Sequence, residues 1–209
     1  AAPAGRGGRL RVARTGVAPG PGAVCGGGGS LWLVDRAGGG LTEDGTAPAG
    51  DLSELDPLSG RILARIPGAV GGWPAVGGGA VWIIARRRNT VTRLDIASGS
   101  QRSIFVGEKP FGIAFGGGAV WVTNSGDDTV TRIDSGSLNT RILPVGRGPK
   151  GIAVGAGAVW VANSIASTVT RIDPDTNQPD GDPIKVATNP YGVDTLGDDV
   201  WVTSPGDGK

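Results

Sequence analysis

Histidine and methionine are missing from this chain altogether, and cysteine and tyrosine occur once each. Without histidine there can be no Ser-His-Asp or Cys-His nucleophilic set. Zinc sites of the usual kind, which draw on Cys and His, are excluded with them. The lone Cys25 rules out an internal disulfide framework. Lying beside glycines in an apolar stretch, it reads as a buried, inert thiol. A chain with no methionine does not begin at a natural start codon, so the expectation is a processed or excised piece of something longer. No apolar run approaches the roughly 20 residues of a membrane helix, and no signal-peptide core is present, so no membrane insertion is expected within the segment. An excess of one charge is lacking too. The 20 Lys and Arg against 19 Asp and Glu leave a net charge of +1, which argues against nucleic acid as a partner and against an electrostatic membrane surface.

What the chain does have is glycine and proline, 40 and 15 of them, at fixed places between short runs of Val, Ile, Thr and Trp. That placement indicates many short strands joined by tight turns, where a patternless excess would indicate disorder. The pattern is a repeat. Residues 116–134, GGGAVWVTNSGDDTVTRID, return as 155–173, GAGAVWVANSIASTVTRID. Trp121 and Trp160 are 39 residues apart, Trp82 lies 39 before Trp121, Trp32 lies 50 before Trp82, and Trp201 lies 41 after Trp160. A fixed period near 40 residues is the mark of a repeat architecture.

The cleanest copy divides into strands at 151–154, 158–162, 168–172 and 184–186, with a glycine turn at 155–157, a loop at 163–167 and an Asp-led turn at 173–177. Four antiparallel strands per repeat, with Gly/Pro crossings between repeats, is the pattern of a β-propeller blade. One four-stranded sheet cannot cover both of its faces, so neighbouring blades bury them, and the recurring Trp supplies most of the apolar area. The chain is therefore predicted to be an all-β propeller of about five four-stranded blades. A flexible leader spans 1–8, and a single domain spans 9–209. The blades fall at about 22–66, 73–106, 111–145, 150–186 and 191–209. The last blade is either incomplete or completed by a strand at 10–14. Residues 35–51 form an insertion in the first blade, and a polar loop of that length is expected to be mobile or functional.

At 120–125 (VWVTNS) and 159–164 (VWVANS) the sequence resembles the YVTN-type bacterial β-propellers, close to the streptogramin-lyase-like and NHL-like groups; the likeness covers about 10–203. The resemblance implies a propeller fold and a range of roles: lyase, surface-layer module, periplasmic binding protein, or extracytoplasmic sensor domain of a bacterial kinase. Lyase chemistry in that group uses histidines beside a metal ion. This chain has no histidine to match them.

Other constellations read as structure. Asp56, Asp95, Asp134 and Asp173 recur once per repeat at a turn entry, where a carboxylate bonds backbone amides. The neighbouring pairs Asp127-Asp128 and Asp198-Asp199 do not make an acid/base dyad, because successive strand residues face opposite ways. Asn124, Asp127 and Asp128 offer oxygen ligands, but in a spacing that matches no known calcium loop closely. The glycine runs at 26–29 and 116–118 lack the helix and Gly-Lys-Ser/Thr of a phosphate loop and read as hairpin turns. No cofactor and no metal are expected.

In a propeller the second-to-third-strand loops and the blade-to-blade crossings emerge on one face. There the sequence places Arg86, Arg87 and Arg88, Trp73, Lys109 with Phe111, Asn124, Asp127, Arg147 with Lys150, Asn163, and Tyr191 after Asn189. The arginine run stands where other repeats carry Asn-Ser and would suit carboxylate, phosphate or anionic-sugar groups. Trp73, aligned with Gly112, Gly151 and Gly192, either stacks on a ligand or plugs the channel. The leading expectation is a non-enzymatic module that binds a protein or a small anionic or carbohydrate ligand, as the extracytoplasmic part of a larger bacterial protein. The alternatives are a structural propeller that oligomerises through an open blade edge, an enzyme using carboxylates on that face, and a lyase-like enzyme, which the lack of histidine disfavours.

Overall fold

The computed structural model describes residues 21–27, 29–35, 50–69 and 74–205. The expected leader, the strand at 10–14, Trp73 and most of the 35–51 insertion lie outside the described residues. What is described is a β-propeller arc. Sheet one comprises β1 (Pro21–Gly27), β2 (Ser30–Asp35), β3 (Gly50–Leu55) and β4 (Ile62–Ala69). Sheet two comprises β5 (Pro74–Gly77), β6 (Ala80–Ala85), β7 (Thr90–Asp95) and β8 (Gln101–Phe105). Sheet three comprises β9 (Pro110–Gly116), β10 (Ala119–Asn124), β11 (Thr129–Asp134) and β12 (Thr140–Pro144). Sheet four comprises β13 (Pro149–Gly155), β14 (Ala158–Asn163), β15 (Thr168–Asp173), β16 (Gln178–Pro179) and β17 (Ile184–Lys185). Sheet five comprises β18 (Gly192–Leu196) and β19 (Asp199–Thr203). Every pairing is antiparallel between sequence neighbours, except that β17 also pairs with β15. The inner strands β1, β5, β9, β13 and β18 pack side by side in chain order.

The outer strand of sheet four differs from expectation. It is broken into β16 and β17, both paired to β15, because Gly181 (φ 78°) and the flanking Pro179 and Pro183 interrupt the ladder. Asp180, in the interruption, pairs with Arg171.

The period of two along each second strand assigns its two faces to two different neighbours. In β6, Val81 and Ile83 pack with Trp32 and Leu52 of sheet one, whereas Ala80, Trp82 and Ile84 pack with Val120, Val122 and Ile133 of sheet three. In β10, Ala119 and Trp121 turn instead to Val159, Val161 and Ile172 of sheet four. Trp32, Trp82 and Trp121 thus face the following sheet. Trp82 and Trp121 are fully buried, Trp160 is half-buried, and Trp201 is 62% exposed.

The recurring Thr-Val-Thr-Arg follows from the same geometry. Arg93, Arg132 and Arg171 lie directly across from Trp82, Trp121 and Trp160 in register. Their guanidinium carbons stand 5.7, 5.6 and 5.8 Å from the ring centroids, within cation–π range. The indole N–H groups of the three tryptophans donate to the Gly77, Gly116 and Gly155 carbonyls. The turn aspartates behave as expected: each accepts the backbone amide three residues on, and Asp56, Asp134 and Asp173 accept the amide two residues on as well. Cys25 is half-buried, and desolvation pushes its thiol up to about 11, in keeping with an unreactive group.

Candidate functional site

Phe111, Lys150 and Tyr191 occupy one position of the repeat, each directly after a buried proline: Pro110, Pro149 and Pro190. The residue before each proline is left-handed, Lys109 at φ 51°, Gly148 at 66° and Asn189 at 56°. The same crossing turn therefore delivers three consecutive inner strands with their first side chains at one end of the arc.

The crossings are pinned by the left-handed residue at the head of each third strand. The Lys109 N–H donates to Asn89 Oδ1 (3.1 Å) and the Val106 N–H to the Asn89 carbonyl (2.9 Å). One repeat on, the Gly148 N–H donates to Asp128 Oδ1 (2.8 Å) and the Val145 N–H to the Asp128 carbonyl (3.0 Å). Asp127 accepts the Glu108 N–H and the Thr129 hydroxyl. Asp127 and Asp128 are thus structural locks of the crossing.

Between blades, the inner strands approach as closely as glycine permits. A Cβ on Gly112 would lie 2.3 Å from the Lys150 carbonyl oxygen, and one on Gly151 2.7 Å from that of Tyr191. The Thr123 hydroxyl accepts from the Gly112 N–H (2.8 Å) and donates to the Lys150 carbonyl (2.7 Å), tying β9 to β13. The Gly151 N–H donates to the Tyr191 carbonyl (2.9 Å), tying the next pair.

On this frame the side chains form a chain of alternating charge and ring. The Arg86 guanidinium carbon lies 4.9 Å from the Phe111 centroid, and Lys150 Nζ lies 5.7 Å from Phe111 and 4.7 Å from Tyr191. Phe111 and Tyr191 meet edge to face at 5.5 Å and 89°. Arg86 comes within reach because residues 86–88 wind into a single 3-10 turn closed by Asn89, the residue that holds Lys109. Among the described residues, neither Arg86 nor Lys150 has a carboxylate partner.

Below this chain is a cleft of about 250 Å³ running across β5, β9, β13 and β18. Phe111, Lys150 and Tyr191 line its mouth, while Pro74, Ile113, Ile152 and Val193 make an apolar wall and Gly112, Gly151 and Gly192 complete the lining. Among the described residues, no acidic one lines it.

The structure therefore brings Arg86, Phe111, Lys150 and Tyr191 together out of the sequence-based set. Arg87, Arg88, Lys109 and Arg147 are exposed, and none of them borders the cleft. Asn124 and Asn163 require correction, since both are fully buried. Their amides donate to Thr129 and Thr131, and to Thr168 and Thr170, respectively, bridging the second and third strands of one blade instead of meeting a ligand. Reasoning from sequence missed the apolar wall. Ile113, Ile152 and Val193 each sit two residues after a mouth residue, so strand alternation alone could have placed them on the same face.

No protein-family model matches the chain, and no curated protein sequence does. Solved structures do. Hydrazine synthase of Kuenenia stuttgartiensis superposes at a TM-score of 0.65 with 18% identity, over 88% of this chain and 54% of that one. AztD of Citrobacter koseri gives 0.64 and 16%, over 85% of this chain and 50% of that one. Streptogramin B lyase gives 0.53 and 18%, over 88% of this chain and 76% of that one. The chain spans about half the length of the first two. At these identities the likeness is one of fold, and the fold is the β-propeller.

Proposed function

We propose that this protein is a non-enzymatic binding module of the YVTN-type propeller group, and that its site is the cleft mouth formed by Phe111, Lys150 and Tyr191 with Arg86 stacked beside it. The observation that carries this reading is a half-buried ammonium held between two aromatic rings, with no carboxylate partner among the described residues, above an apolar cleft. A concave apolar site with a few convergent polar groups is the general form of a ligand pocket. Among the described residues, no carboxylate, cysteine, serine or threonine lines the cleft. The chain serves as the extracytoplasmic sensing or interaction part of a larger bacterial protein.

The test is a thermal-shift screen of a metabolite library against the wild type and the double variant Lys150→Ala/Tyr191→Ala. Ligands should raise the wild-type melting temperature and lose that effect in the variant. A set of binders that stabilise both proteins equally would refute the site.

A second reading, chain-to-chain association through sheet five, is favoured by the exposure of Trp201 at the position where Trp82 and Trp121 are fully buried. Trp201→Arg should then shift the sedimentation coefficient at high concentration to that of a monomer.

A further inference from the structure

Resting on the reading of the cleft as a ligand site, we infer the chemical class it takes: a small monocarboxylate with an apolar or aromatic body. The carboxylate would sit on Lys150 and the body against Ile113, Ile152 and Val193.

Four observations converge on this class. The wall of the cleft is Pro, Ile, Val and Gly, and among the described residues lining it, only Lys150 and Tyr191 have side chains with polar atoms. A sugar would surrender its water there with almost nothing to replace it, because an unpaired buried hydroxyl is costly. The charge at the mouth is one ammonium with Arg86 one ring away, not a converging set of guanidinium forks. That suits a single negative charge better than a phosphate dianion, which takes several donors. The cations already occupying the Phe111 and Tyr191 faces would repel a cationic ligand. The edge-to-face pair turns one ring's positive edge toward its partner and keeps the cluster rigid. Finally, a cleft of about 250 Å³ lies below the roughly 300–1,000 Å³ of drug-sized sites, so the body is one ring or a short chain.

Glycine amides give the test. Gly112, Gly151 and Gly192 belong to the lining, and glycine amides resonate apart from the bulk of an amide spectrum. Isotope-labelled full-length protein would be titrated with benzoate, hexanoate, benzyl alcohol, benzylamine, inorganic phosphate and glucose. Benzoate and hexanoate should shift these three amides saturably, with benzoate binding roughly tenfold or more tightly than benzyl alcohol, as expected for a charge-assisted contact. Lys150→Met should abolish that preference and leave benzyl alcohol unchanged, and Lys150→Arg should restore most of it. The indole signals of Trp82 and Trp121 report whether each variant is folded.

Phosphate or glucose shifting the same amides more tightly than benzoate would overturn the carboxylate class while leaving the cleft a ligand site. Benzoate binding that is unchanged in folded Lys150→Met would do the same. Silence from all six probes also overturns it, and if the library screen is silent as well, the binding reading falls with it.

Discussion

The four turn aspartates show how one residue type is held by local chemistry. Asp56, Asp95 and Asp134 each accept the backbone amide and the hydroxyl of a serine three residues on, and Asp173 uses Thr176 in the same place. These bonds to the charged form hold all four carboxyls below their ordinary range, the Ser98 amide and hydroxyl bringing Asp95 to about 2. A folded-state pKa below the unfolded value, about 4, adds stability that is fully present above that value and lost as pH falls through the folded one. Melting temperature should therefore decline between about pH 4 and pH 2. Asp95→Asn should melt below wild type at pH 7, with the gap closing as pH approaches 2; a gap constant across that range would contradict the mechanism. The buried asparagines act differently, through geometry. Asn124→Ala removes the donor shared by the Thr129 and Thr131 hydroxyls inside sheet three. It should cost about 1–3 kcal/mol in a denaturant midpoint measurement, with benzoate-induced amide shifts unaffected.

Among the elements, the joint between blades is governed by what stands at the end of each inner strand. A Cβ on Gly77 would lie 2.0 Å from the Phe115 ring, one on Gly116 2.4 Å from Val154, and one on Gly155 2.1 Å from the Thr195 hydroxyl. None of these three glycines has a positive φ, so contact with the next blade, and not conformational freedom, demands glycine there. Gly116→Ala should destabilise by about 1–3 kcal/mol through overpacking. Val154→Ala should relieve part of that, giving a favourable coupling in a double-mutant cycle; purely additive effects would mean that the blades do not meet at this point. The strands, their order and the burial of a tryptophan between blades were legible in the sequence, because period two and a 39-residue repeat are local signals repeated in register. The contents of the cleft were legible only in part. Phe111, Lys150 and Tyr191 could be aligned, but which arginine of the run 86–88 meets a ring depends on a 3-10 turn that the repeat does not contain. Asn124 and Asn163 misled because a polar residue in a loop motif looks the same in sequence whether it meets solvent or two buried threonines.

Across the whole molecule, each sheet is stabilised by its neighbours in chain order, so local stability should follow how many faces are covered. Sheets two and three bury Trp82 and Trp121 completely and contribute residues to cores on both sides. Sheet five contributes no residue to the described core clusters, and its Leu196 and Trp201 are 74% and 62% exposed. Native-state hydrogen exchange should accordingly be slowest in β10 and β11 and fastest in β18 and β19. The cleft makes this gradient informative about function, because Tyr191, Gly192 and Val193 belong to its lining along with residues of the better-covered sheets. A ligand there binds only when β18 is docked against β13. By linkage it must add its binding free energy to the opening of sheet five. Saturating benzoate should therefore slow exchange in β18 and β19 by as much as in β6 and β7, because the opening of sheet five and global unfolding both release the ligand. Protection of β6 and β7 without protection of β18 and β19 would mean that sheet five opens with benzoate still bound, and no protection at all would mean that benzoate does not bind the folded protein.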